Sequence, residues 1–222
     1  MDTRAILDSG LRPRPFRRHS RTLAQPSDPA PRLLSEAGTV KVVAVGLIFE
    51  THALSEDNEF GRATGWLDGK LSERGHGLAR ELGDRRRNDG IAAVYVSDLG
   101  RAVETAEIAF ADTDMPIIRE KRLRECNYGL LNGVPRAQLD ADGPDSLDER
   151  FPEGESWREA VQRVDAFLHE LTRERDGDRV LIIGHMATWY ALEGAANGTG
   201  LDDLFYAPFE WQEGWEYSLA VP

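Results

Sequence analysis

Apolar residues along this chain follow two rhythms. "VKVVAVGLIF" (40–49) is a continuous β-branched and aliphatic run of the kind that forms a strand buried on both faces. "IAAVYVS" (91–97), "MPIIR" (115–119) and "RVLIIGH" (179–185) predict three further strands, and "EYSLAVP" at the C-terminus an edge strand. Between them the apolar spacing turns helical. Ser72 is placed to cap a helix over 73–88 with Leu78 and Leu82 on one face, and "GRAVETAEIAF" (100–110) predicts a second. Ser156 caps a third, running to Arg173 with Val161, Val164 and Leu168 inward, and a fourth covers 186–196. The order β-α-β-α-β followed by α-β-α predicts an α/β fold, a three-layer α/β/α sandwich around a mostly parallel sheet.

Sites in such sheets form past the carboxyl ends of the strands. His52 lies past the first strand, Ser97 and Arg101 past the second, and His185 at the end of the fourth, so these residues are predicted to converge.

The first 38 residues break both rhythms. They contain five prolines and no sustained periodicity, and predict a disordered Arg/Pro-rich extension ahead of one domain over 39–222. Seven arginines there stand against four acidic residues, a balance of +3. The remainder carries 20 basic and 35 acidic side chains, a balance of −15, which disfavours nucleic acid as a partner and requires a local cationic cluster for any anionic substrate. No run reaches the roughly 18 apolar residues of a membrane helix, and the acidic residues of the extension do not suit a targeting peptide. The lone Cys126 excludes an internal disulfide and fits a reducing, cytoplasmic setting.

A neutral imidazole can attack phosphorus and split one hard displacement into two easier ones. Such chemistry needs groups that hold the phosphoryl oxygens and an acid that protonates the leaving oxygen. Arg101, His185, Asn58 and Ser55 are candidates for the first role, and Glu125 for the second.

"GWLDGKLSERG" (65–75), "SDLGRAVETA" (97–106), "RLRECNYGLLNG" (122–133), "FPEGES" (151–156) and "IIGHMAT" (182–188) resemble, in order, the successive motifs of the histidine phosphatase superfamily, the phosphoglycerate mutase-like fold. The resemblance spans about residues 40–222. It implies that His52 is the phosphoacceptor, His185 a second phosphoryl-contacting histidine, Arg101 a phosphate-binding arginine and Glu125 the proton donor. It further implies a phosphate contact for Asn58 and places Ser55 where the family often has threonine. The departure lies at the nucleophile, where the family's Arg-His-Gly is Thr51-His52-Ala53. Loss of one aligned cationic donor costs about 10² to 10³ in rate if nothing replaces it. Two compensations are open: Arg62, ten residues beyond His52 and the favoured replacement, or a substrate that brings a counter-cation or makes lighter electrostatic demands, with Thr51 itself at the phosphate site.

The reading that results is a phosphatase using neither metal nor cofactor, acting on a small phosphorylated substrate through phospho-His52. A phosphoglycerate mutase-type transferase and a weakened phospholigand-binding protein stand as alternatives. Self-association into a homo-oligomer is compatible with the sequence, and no membrane partner is expected. Ordinary structural roles are expected elsewhere: a solvated loop for "SEDNE" (55–59), a passive Cys126, packing for the five tryptophans with one or two at a substrate pocket, and surface positions for His19, His76 and His169. Glu50, two residues before His52, either orients it or pairs with an arginine.

Overall fold

The computed structural model describes residues 44–145 and 147–220. The extension expected over 1–38, and the start of the first predicted strand, lie outside the described residues. Five strands form one sheet: β1 (Ala44–Thr51), β2 (Ala93–Val96), β3 (Ile117–Arg119), β4 (Arg179–Gly184) and β5 (Trp215–Ala220). The helices are α1 (Glu56–Glu59), α2 (Glu73–Arg86), α3 (Gly100–Ala109), α4 (Arg136–Asp142), α5 (Trp157–Glu174), α6 (Met186–Asn197) and α7 (Leu201–Tyr206).

The strand order is β3-β2-β4-β1-β5, parallel except for β5, which runs antiparallel along β1. Alternation along β1 assigns its side chains to two cores. Val45, Leu47 and Phe49 pack with Val164, Phe167 and Leu168 of α5 and Tyr190 and Leu192 of α6. Ile48 points the other way, with Val94, Val96, Leu181 and Ile183, onto Leu82 of α2 and Ala102, Ala106 and Ala109 of α3. The predicted three-layer sandwich is therefore the observed fold.

β1 runs two residues beyond its predicted end, because Glu50 and Thr51 continue the ladder opposite Ile183 and Gly184 of β4. Glu50 is buried. Its carboxylate takes Arg86 Nε at 2.8 Å and lies 3.5 Å from Arg85 Nη2, so it pairs with arginines of α2. Burial pushes its carboxyl up against the opposing pull of the two guanidinium groups.

The segment "SEDNE", expected as a solvated loop, is instead the one-turn helix α1. Ser55 Oγ accepts from Asn58 N at 3.1 Å, and Asn58 Oδ1 accepts from Ser55 N at 3.1 Å, a reciprocal cap. Glu56, Asp57 and Glu59 then sit in the first turn, where the helix dipole favours negative charge. Helices α4 and α7 were not predicted either, since one or two turns carry too few apolar repeats to register.

Candidate active site

The sheet delivers His52 first. Its backbone N–H bonds Gly184 O at 3.1 Å, extending the β1–β4 ladder by one step past Thr51. Ala53 N then donates to Thr105 Oγ1 at 3.0 Å, which itself donates to Arg101 O at 2.7 Å, so the nucleophile loop is tied to the first turns of α3. Ala53 is buried and has no positive φ; the loop needs no glycine there.

Arg101 occupies the centre of the site and is almost wholly buried. Its Nη1 donates to Leu67 O at 2.8 Å and its Nη2 to Gly65 O at 3.0 Å, contacts that hold the guanidinium in one orientation. From that position Nε reaches His52 Nε2 at 3.3 Å and Nη2 lies 3.4 Å from His185 Nδ1. Glu104, one turn further along α3, is engaged elsewhere, accepting from Leu71 N and bonding His76. Burial lowers the Arg101 guanidinium to about 10, so it stays charged at neutral pH.

Gly65 allows this cradle. It has φ of +54°, and a Cβ there would lie 1.8 Å from Asn132 Oδ1, the atom that accepts from Trp66 N and Tyr128 N.

The two histidines face each other with ring centroids 5.0 Å apart. His52 Nδ1 is 2.7 Å from Ala53 O, a carbonyl that can only accept, so Nδ1 carries the proton and Nε2 presents its lone pair to the pocket. Burial, and then the Arg101 charge, push His52 down to about 3. The same two causes, with His52 added, hold His185 well below its ordinary value, and its buried Nε2 has no partner among the described residues. Both imidazoles are neutral at physiological pH.

Glu125 enters from the segment after β3. Its carboxylate accepts from Cys126 N at 2.9 Å and from Met186 N and Ala187 N at 3.3 Å, at the N-terminus of α6 directly after His185. The backbone behind it is clamped. Trp66 Nε1 donates to Glu125 O at 2.6 Å, and Arg163 donates to Arg122 O, Arg124 O and Glu125 O. Trp66 is flanked by the guanidinium groups of Arg124 and Arg163. Sequence reasoning assigned Arg163 no role, and nothing in its helical surroundings marks a residue whose partners lie some forty positions earlier.

His52, Arg101, His185 and Glu125 line a cavity of about 110 Å³, to which Tyr128, Trp157, Phe209 and Trp211 contribute aromatic walls. Six sequence-predicted residues reach it besides Thr51: His52, Asn58, Arg62, Arg101, Glu125 and His185. Ser55 does not. It is fully buried beneath α1, and its hydroxyl is consumed by the cap, donating to Asn58 Oδ1 at 2.7 Å while accepting from Asn58 N. Asn58 spends its carbonyl on the same cap and leaves its amide nitrogen for the pocket. Arg62 lies at the exposed mouth, where Nη1 donates to Gly133 O at 3.2 Å, and Arg136 of α4 joins it there. The corner beside His52 belongs to Thr51, whose Oγ1 accepts from Trp211 Nε1 at 3.2 Å. Among the described residues no group of three or more His, Cys, Asp and Glu side chains stands ready to hold a metal, and no helix is long and apolar enough to cross a membrane.

Residues 47–212 match the family model described as histidine phosphatase superfamily (branch 1). The chain is 31% identical to phosphoserine phosphatase 1 of Hydrogenobacter thermophilus over 72% of this chain and 80% of that protein. It is 32% identical to a probable phosphoglycerate mutase GpmB of Escherichia coli over 60% of this chain and 66% of that protein. Among solved structures, Bacillus stearothermophilus YhfR superposes with a TM-score of 0.69 at 30% identity, covering 77% of this chain and 88% of that one. A mycobacterial glucosyl-3-phosphoglycerate phosphatase complexed with VO3 superposes with a TM-score of 0.64 at 25% identity, covering 71% and 84%.

Proposed function

This chain belongs to the histidine phosphatase superfamily, branch 1, and from that premise we propose that it is a metal-independent phosphatase acting on a small phosphomonoester through phospho-His52. The observation that carries the reading is the orientation of His52: Nδ1–H is spent on Ala53 O, so Nε2 holds its lone pair toward the pocket, where it accepts from Arg101 Nε at 3.3 Å beside His185 until a phosphoryl group takes it. In the first step Nε2 bonds to phosphorus as the phosphorus–oxygen bond of the ester breaks, and Glu125 gives its proton to the departing alkoxide. Arg101, His185 and the Asn58 amide hold the equatorial oxygens. In the second step Glu125 takes a proton from water, the water oxygen bonds to phosphorus, and the Nε2–phosphorus bond breaks to release phosphate and neutral His52.

Arg62 and Arg136 at the mouth suit a leaving group that carries an anion of its own. Phosphoserine and glucosyl-3-phosphoglycerate, named for two of the relatives, are esters of that kind. The same two cations favour a second reading, a mutase that returns the phosphoryl group to a bound hydroxy acid. Turnover of 3-phosphoglycerate only with a bisphosphoglycerate primer would identify the mutase. The single thiol, Cys126, is buried and pushed well above its usual range, as suits an inert side chain in a reducing cytoplasm.

The deciding experiment is a panel of phosphorylated metabolites assayed with chelator present, with acid quench to trap the phosphoenzyme. Acid-labile label on the wild type and none on His52→Ala is the expected result. Turnover that survives His52→Ala would overturn the mechanism.

A further inference from the structure

Thr51 Oγ1 and Trp211 Nε1 meet at 3.2 Å across 160 positions of sequence, and both residues line the cavity beside His52. The chemistry of this contact runs one way. An indole has a proton to give and nothing to accept with, so the threonine oxygen is the acceptor. The proton of Thr51 finds no acceptor among the described residues and remains available to whatever enters the cavity.

The loop carrying Trp211 is held firmly. Phe209 is buried against Trp189 at 5.1 Å and Trp215 at 5.8 Å between ring centroids. Glu213 O accepts from Arg86 Nη2 at 2.9 Å, and Arg86 is itself held by Glu50. Gly214 turns the chain there with φ of +87°, and a Cβ at that position would come within 2.1 Å of Arg86 Nη2. Consecutive residues of β1, which point to opposite faces of the sheet, thus anchor the same loop: Glu50 through Arg86, and Thr51 through Trp211. Arg62, the cation expected to serve this corner, is instead exposed and bonded to Gly133 O.

We propose that Trp211 is a positioning residue for phosphoryl transfer: its indole N–H occupies the Thr51 oxygen and turns the Thr51 hydroxyl into a pre-aimed donor to the transferred phosphoryl group. This rests on the phosphatase reading of the pocket. A neutral donor stands here beside His52, and because it is oriented before substrate arrives, it needs no reorganisation during reaction.

The test is a cycle of Thr51→Val, Trp211→Phe and the double variant, with Thr51→Ser as the conservative control. Each is read by kcat and KM on the best phosphomonoester and by calorimetric titration with inorganic phosphate. Thr51→Val should lower kcat by about 10²-fold, the scale of one preorganised donor, and Thr51→Ser should restore most of it. Trp211→Phe keeps a ring in the wall and should cost about 3- to 10-fold, the worth of one neutral hydrogen bond. In the Thr51→Val background the same change should cost less than 2-fold, since no hydroxyl is left to orient. Phosphate affinity should follow the same coupled pattern. Independent, multiplying effects would overturn the proposal and reduce Trp211 to a wall residue. Should no phosphomonoester be hydrolysed, the phosphatase reading fails, while the phosphate titrations, which need no turnover, still decide whether the two side chains act as a unit.

Discussion

Acidification probes the charge state on which the mechanism depends. In the unfolded chain both pocket histidines titrate near about 6.5. In the fold, burial and the neighbouring Arg101 charge push His52 down to about 3 and His185 well below its ordinary value. As pH falls through 6.5 the unfolded state therefore takes up protons that the native state refuses, and stability drops with falling pH until the folded value is reached. At pH 5 each histidine removes up to about 2 kcal/mol relative to pH 8, so the pair removes up to about 4 kcal/mol from a total of about 5–15 kcal/mol. The double variant His52→Asn/His185→Asn lacks both groups and should lose correspondingly less stability between pH 8 and pH 5. Glu50, raised by burial, titrates in both proteins and cancels from the comparison. Urea unfolding at pH 8, 6.5 and 5 gives the two slopes, and NMR of the histidine ring carbons follows each imidazole directly. Equal pH dependence in the two proteins, or a His52 resonance titrating near 6.5, would refute the argument.

Glu125→Gln should slow phosphoenzyme formation, read by rapid acid quench before the shared hydrolysis step, about 10²- to 10⁴-fold for alkyl phosphates and far less for p-nitrophenyl phosphate, whose leaving group needs no proton; equal losses on both substrates would remove Glu125 as the acid. Gly75→Ala should lower Tm even though alanine is the better helix former by about 1 kcal/mol, because a Cβ on this α2 glycine would lie 2.0 Å from Leu54 O. Arg86→Met leaves buried Glu50 with Arg85 alone and releases the Glu213 carbonyl. It should cost about 3 kcal/mol at pH 8 by chemical denaturation and less at pH 5, where Glu50 can take up a proton.

Strands, helices and the motif order were legible because each is written locally. The β-branched runs at 40–49 and 179–185 and the capped helix after Ser156 each advertise themselves within a dozen residues. Placement past strand ends was enough to bring His52, Arg101 and His185 toward one pocket, where they now stand within hydrogen-bonding or ring-contact distance. Ser55 misled because a serine three residues from an asparagine fits a phosphate contact and a reciprocal helix cap equally well, and only burial beneath α1 distinguishes the two. Arg62 does line the cavity, but at its mouth, and its reach along the chain could not show that Nη1 would be held there by Gly133 O.

What the sequence by itself determined is the family, the layered fold and the candidate side chains that meet in the cavity, since these follow from periodicity and from motifs a few residues long. The tertiary structure alone decided which proton each group shows to the pocket. His52 turns its lone pair inward because Ala53 O claims its other nitrogen, Glu50 is anchored by α2, and Thr51 meets an indole from 160 residues away. Hydrogen bonds depend on fractions of an ångström between segments remote in sequence, and no local pattern records such a meeting.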